Sequence, residues 1–110
     1  MRHLLTEIVR PAFAASTVLE AADASSAIRL CSETRPDLVL MDVALPDGNG
    51  IALTAEIKTL LPTSKVVIVS GYRWSECQDA AATAGAAAYV FKDEIHDKLL
   101  PSLALVLEQR

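Results

Sequence analysis

The chain has 110 residues, 52% of them hydrophobic, and a formal net charge of -4 at neutral pH. That is the length of a single domain with enough apolar material for a packed core, and it excludes a disordered chain. There is no Lys/Arg stripe for nucleic acid, no apolar run of membrane-spanning length and no leader-like start, so a cytoplasmic domain is expected.

In chain order, residues 2–9 place Leu4, Leu5, Ile8 and Val9 on one helical face, and Pro11 ends that helix. Residues 17–21 read as a short strand. Residues 22–35 read as a helix with Asp23 as N-cap and Ala27, Ile28, Leu30 and Cys31 on its apolar face. Leu38 to Met41 is a continuous apolar run between Arg35-Pro36 and Pro46-Asp47-Gly48. It reads as a parallel strand buried on both faces, with Asp42 at its C-terminal end. Residues 51–61 form a helix with apolar positions at Ile51, Leu53, Ile57, Leu60 and Leu61, and Pro62 stops it. Residues 65–70 are a second buried strand, residues 75–84 an alanine-rich helix ended by Gly85, and residues 87–91 a third core strand with Lys92 after it. Residues 97–109 close the chain as an amphipathic helix carrying Leu99, Leu100, Leu103, Leu105, Val106 and Leu107. Pro101 falls in or just after its first turn, where it costs least.

Strands alternating with helices imply a parallel α/β sheet with right-handed crossovers. Asp42, Ser70 and Lys92 end three successive core strands, so the topology brings them to one edge, where such sheets hold their chemistry. A carboxylate, a hydroxyl and an ammonium suit phosphoryl transfer onto Asp42. Lys92 would balance the acyl phosphate and Ser70 would donate to a phosphoryl oxygen. Singly, each has a plainer reading: a cap, a turn serine, a solvated lysine. Cys31 and Cys77 have no metal-ligand or CxxC spacing and read as small buried hydrophobes in helices. His3 and His96 receive no role.

Three stretches resemble the receiver domain of two-component response regulators, whose fold is flavodoxin-like. PDLVLMDVALPDGNG is similar to that family's phosphoacceptor strand and loop, with Asp42 at the phosphorylated position and Pro46 four residues on. VVIVSGY is similar to its fourth strand, with Ser70 at the switch hydroxyl. AGAAAYVFKD is similar to its fifth, with Tyr89 at the switch aromatic and Lys92 at the phosphate-binding lysine. Asp93 follows Lys92 in place of the frequent proline, as in members that often carry a helix-turn-helix output. The resemblance implies a histidine kinase or phosphotransfer protein as phosphate donor and a downstream protein target. It implies a switching surface over residues 75–110, no enzymatic turnover, and Mg²⁺ as cofactor.

The chain departs from the family at its start. Members open with a strand ending in two acidic residues, which bind Mg²⁺ with the phosphoacceptor and a backbone carbonyl, here those of Asp42 and Ala44. That strand and its acids have no counterpart in the sequence, so the whole chain reads as one N-terminally shortened receiver without an output domain, and its metal site as weak or absent. Glu20 and Asp23 are the nearest replacement acids. In the family the first strand lies between the second and third, so its loss opens a gap of about 9.6 Å between neighbours that belong about 4.8 Å apart. Three remedies are open: a start within a longer product, direct pairing of the 17–21 strand with the Asp42 strand to give a four-stranded sheet, or two chains filling each other's gap as a homo-oligomer with residues 1–21 in the interface. Phosphorylation of Asp42 is expected to be impaired. Two other readings stay open: an interaction module that works without phosphorylation, and a small phosphatase with an aspartyl nucleophile. The phosphatase calls for a second Asp two residues on, where this chain has Ala44.

Overall fold

The structure is a computed structural model, and it describes residues 18–20, 23–42, 44–45, 48–71 and 75–108. The helix expected over residues 2–9 lies outside these residues, as does the side chain of His96. The elements are β1 (Val18–Glu20), α1 (Ala24–Thr34), β2 (Leu38–Met41), β3 (Ala44–Leu45), β4 (Gly48–Asn49), α2 (Gly50–Leu60), β5 (Lys65–Ser70), α3 (Ser75–Ala84) and β6 (Ala88–Phe91). A 3₁₀ turn (Lys92–Glu94), a π turn (Ile95–Leu99) and α4 (Leu100–Glu108) follow.

Four strands form one parallel sheet in the order β1-β2-β5-β6, and β3 and β4 make a separate two-residue hairpin ladder in the loop after Asp42. β1 pairs directly with β2, Val18 opposite Leu38, Leu19 opposite Val39 and Glu20 opposite Leu40. No strand lies between them. β1, residues 18–20 of the strand expected over 17–21, pairs directly with the Asp42 strand, as the second of the three alternatives has it. Direct pairing satisfies backbone groups on β2 that a gap would leave buried and unbonded.

The alternation of a strand sorts its side chains onto two faces. Val39, Met41, Val66 and Ile68 lie on the face covered by α1, α2 and α3, with Ala27, Cys31, Leu53, Ile57 and Ala81. Leu38, Leu40, Val67, Val69 and Val90 lie on the other, against Ile95, Leu99, Leu103 and Val106. All four β2 residues are buried, as a two-sided parallel strand requires.

Each helix has a local reason to start and stop. The Asp23 carboxylate accepts from the Ser26 N–H at 2.8 Å and the Ser26 hydroxyl at 2.7 Å, which caps α1. Arg35 ends α1 with a left-handed φ of 45°, its N–H donating to the Cys31 carbonyl. Asn49 caps α2 by accepting from Ile51 and Ala52. Gly85, at φ 106°, closes α3, with Ala86 N–H donating to Ala81 and Gly85 N–H to Ala82 in a Schellman arrangement. Pro101 is the second residue of α4, inside the first turn as expected.

Two expected core positions are solvent-facing: Leu60 is 54% and Leu105 63% exposed. Both lie off the buried line of their helices, which runs through Leu53 and Ile57 in α2 and through Leu99, Leu103 and Val106 at the C-terminus. Cys31 is fully buried as expected, and burial pushes its thiol up, whereas Cys77 is half-buried.

At the sheet edge away from Asp42, Lys58 forms a latch. Its ammonium donates to the Pro62 carbonyl at 2.7 Å and the Ser64 carbonyl at 2.8 Å, while the buried Ser64 hydroxyl donates to Pro36 at 2.6 Å. Partial burial, and then the charge of Lys65, pull the Lys58 ammonium below its usual range.

A Cβ at Gly85 would meet Lys58 Cγ at 2.9 Å, on a backbone that L side chains avoid. Gly85→Ala is therefore expected to cost about 1–2 kcal/mol or more in a denaturant melt. Thiol reagents are expected to modify Cys77 in the native chain and Cys31 only after unfolding. Mass spectrometry of the labelled peptides checks this, and fast native labelling of Cys31 would contradict its burial.

Candidate functional site

β2, β5 and β6 run parallel, so their C-terminal ends share one edge. Asp42 follows Met41 on β2, Ser70 ends β5 opposite Phe91, and Lys92 follows Phe91 on β6. Lys92 Nζ lies 2.6 Å from Asp42 Oδ2. The contact spans β5, because β2 and β6 are not neighbours in the sheet. The two side chains keep about a third of their surface, 34% for Lys92 and 30% for Asp42, so the pair remains open to a reactant.

Ser70 is 1% exposed and sits on the strand between the two partners. Tyr89, opposite Ile68 in the ladder, is half-buried against the α1–α2–α3 face. The Tyr89 and Phe91 rings meet edge to face, centroids 5.7 Å apart. Asp42, Ser70 and Lys92 thus stand at one end of three adjacent strands, Tyr89 lies two residues before that end on β6, and Asp42 and Lys92 touch. Phe91 was not singled out. Its place two residues after Tyr89 on a strand is the signal that puts both rings on one face. Asn49 was also passed over, although an Asn directly before a helical run is a capping signal.

Among the described residues, the donors around Asp42 do not make up the set of about six octahedral oxygens that Mg²⁺ wants. One Asp42 oxygen holds an ammonium. Asp23 spends its carboxylate on the α1 cap, and Glu20 lies opposite Leu40, two residues short of the level of Asp42. Among the described residues no three of His, Cys, Asp and Glu stand together as metal ligands. The Ala44 carbonyl belongs to the short β3 ladder that follows.

The sequence matches the response regulator receiver domain family over residues 1–104, and the chain belongs to that family. It is 31% identical to the chemotaxis protein CheY of Halobacterium salinarum over 107 residues, 97% of this chain and 88% of that protein. Among solved structures it resembles a LuxR-family two-component response regulator from Aurantimonas sp. SI85-9A1, with TM-score 0.77 and 36% identity over 82% of this chain and 64% of that one. A CheY-like receiver domain protein from Methanospirillum hungatei JF-1 superposes with TM-score 0.75 and 30% identity, covering 81% of this chain and 71% of that one. The chain spans only about a third of three transcriptional regulators that it matches, 38%, 34% and 38% of their lengths. Among the described residues no helix is long and apolar enough to cross a membrane.

An ion pair this exposed contributes about 0.2–1 kcal/mol. Asp42→Asn and Lys92→Met are each expected to lower stability by about that much at low salt and by less at high salt. Urea melts at two ionic strengths check this, and a loss that does not depend on salt would mean the pair is not what is being removed.

Proposed function

We propose that this chain is a signalling receiver that takes a phosphoryl group on Asp42 from the phosphohistidine of a histidine kinase or phosphotransfer protein. The observation that carries this reading is the 2.6 Å contact between Lys92 and Asp42 at the carboxyl ends of the strands. An Asp42 carboxylate oxygen attacks phosphorus as the P–N bond of the donor breaks, and the departing imidazole takes up a proton. Lys92 lies where it can follow the charge from carboxylate to phosphoryl oxygens, and the Ser70 hydroxyl is on the strand beside it. In the family Mg²⁺ supplies further neutralisation of the phosphoryl charge. With the donor set described above, transfer to Asp42 is expected to be slow.

The output is a protein–protein surface over residues 75–110, made of α3, β6 and α4, with a downstream protein as target. A Ser70 hydroxyl drawn toward a phosphoryl group leaves space that the Tyr89 ring can enter, so the two move together. The chain itself turns over no substrate and acts in the cytoplasm. Lys92 closed on Asp42 also favours a second reading, an interaction module that keeps one state without phosphate.

Incubation with acetyl phosphate is expected to add a phosphoryl mass to the wild-type chain, slowly, and none to Asp42→Asn. Beryllofluoride is expected to shift the NMR signals of Ser70 and Tyr89 together. No adduct on wild type after prolonged incubation would reject the phosphoacceptor reading in favour of the second. Beryllofluoride that binds while Tyr89 stays unmoved would reject the coupled switch.

A further inference from the structure

We propose that Phe91 is a positioning residue for Tyr89: its ring holds the Tyr89 ring in one rotamer and borders the space beside Ser70 into which Tyr89 would turn. The consequence for signalling rests on the Ser70–Tyr89 switch reading given above, but the hold itself is a property of the chain without phosphate.

Three observations carry it. In the β5–β6 ladder Ser70 stands opposite Phe91, and Ile68 opposite Tyr89. Alternation puts Ile68 and Ser70 on one face of β5, the face that carries the Ala27–Ile57–Ala81 core, and Tyr89 packs against that same core. Phe91, two residues on, shares the face of Tyr89. The two rings meet with centroids 5.7 Å apart and planes at 69°. An edge-to-face contact is attractive only while one ring keeps its edge toward the face of the other, so rotation of Tyr89 about χ1 breaks it. Both rings are half-buried, whereas Ser70 is 1% exposed. Tyr89 thus has the core across the ladder and an aromatic ring along its own strand.

Tyr89 lies diagonal to Ser70, and Phe91 is next to both: along the strand from one, across the ladder from the other. A Tyr89 ring that turns toward Ser70 has to displace the Phe91 ring. An aliphatic side chain at residue 91 would fill part of the same space, but it has no ring face or edge with which to orient Tyr89. The identity of residue 91 therefore sets how readily Tyr89 leaves its rotamer. The response of the surface made by α3, β6 and α4 then depends on a residue outside the Asp42–Lys92 pair.

The test uses the unphosphorylated 110-residue chain. Three-bond NMR couplings from the backbone nitrogen and carbonyl carbon to Tyr89 Cγ report χ1 and are blind to ring-current shifts. Wild type is expected to show the couplings of a single staggered well, and Phe91→Leu and Phe91→Met those of an average over two wells. Phe91→Tyr keeps a ring and is expected to restore the single well. Val90→Ala, which truncates a buried residue on the opposite face of β6, is expected to leave Tyr89 in one well and so separates a specific hold from general loosening of the strand. An averaged Tyr89 in wild type would overturn the inference, as would a single well in both Phe91→Leu and Phe91→Met. Averaging in Phe91→Tyr, or in Val90→Ala to the same extent as in Phe91→Leu, would overturn it too. The phosphoacceptor reading fails on an absent Asp42 adduct and the switch reading on a Tyr89 that ignores bound beryllofluoride, whereas this inference fails on Tyr89 couplings measured without either reagent.

Discussion

The Asp42 edge depends on β2 being bonded on both sides and covered on both faces. Leu38 to Leu40 pair with β1 on one side, Leu38 to Met41 pair with β5 on the other, and all four residues are buried. A slip by one residue would draw Asp37 or Asp42, which bracket the apolar run, into the buried span. The register then places the end of β2 at the level of the ends of β5 and β6, which makes Asp42, Ser70 and Lys92 neighbours although they are far apart in sequence. The chemistry at that edge follows from backbone pairing deep in the core.

That constraint also accounts for the direct pairing of β1 with β2. An unpaired β2 edge would leave buried N–H and C=O groups without partners, at a cost of a few kcal/mol for each. Three rungs with β1 remove that cost. The exchange has a chemical consequence. β1 brings Val18 and Leu19 to the core and ends in Glu20, so the pairing that restores the backbone does not restore a pair of acids level with Asp42. Closure of the sheet and closure of the metal site are separate requirements, and the first is met by hydrogen bonds any strand can supply, whereas the second needs particular side chains.

The two ends of the sheet differ in character. At the edge away from Asp42, Lys58, Ser64 and Pro36 tie α2 and the 62–64 loop to the start of β2, and Gly85 packs against the Lys58 stem. Polar groups there are committed to backbone carbonyls. At the Asp42 edge the ion pair keeps about a third of its surface in water, and a half-buried pair of rings stands next to a buried hydroxyl. Tight capping at one end leaves the other free to carry a partly exposed ion pair without loosening the sheet.

Much of this was legible in the residues. β2 and β5, α3 with its Gly85 stop, and the Asp23 cap were readable because each rests on local signals: an apolar run between turn residues, a capping carboxylate, a glycine at positive φ. The convergence of Asp42, Ser70 and Lys92 followed from topology alone. Burial of Leu60 and Leu105 was misjudged because periodicity shows which residues share a stripe, but not how wide a stripe the neighbouring element covers. The Tyr89–Phe91 contact, the Lys58 latch and the choice of β1 as the direct partner of β2 were decided only in three dimensions. A strand's partner depends on which backbone edges remain unsatisfied once everything else has packed, and no short window of sequence contains that information.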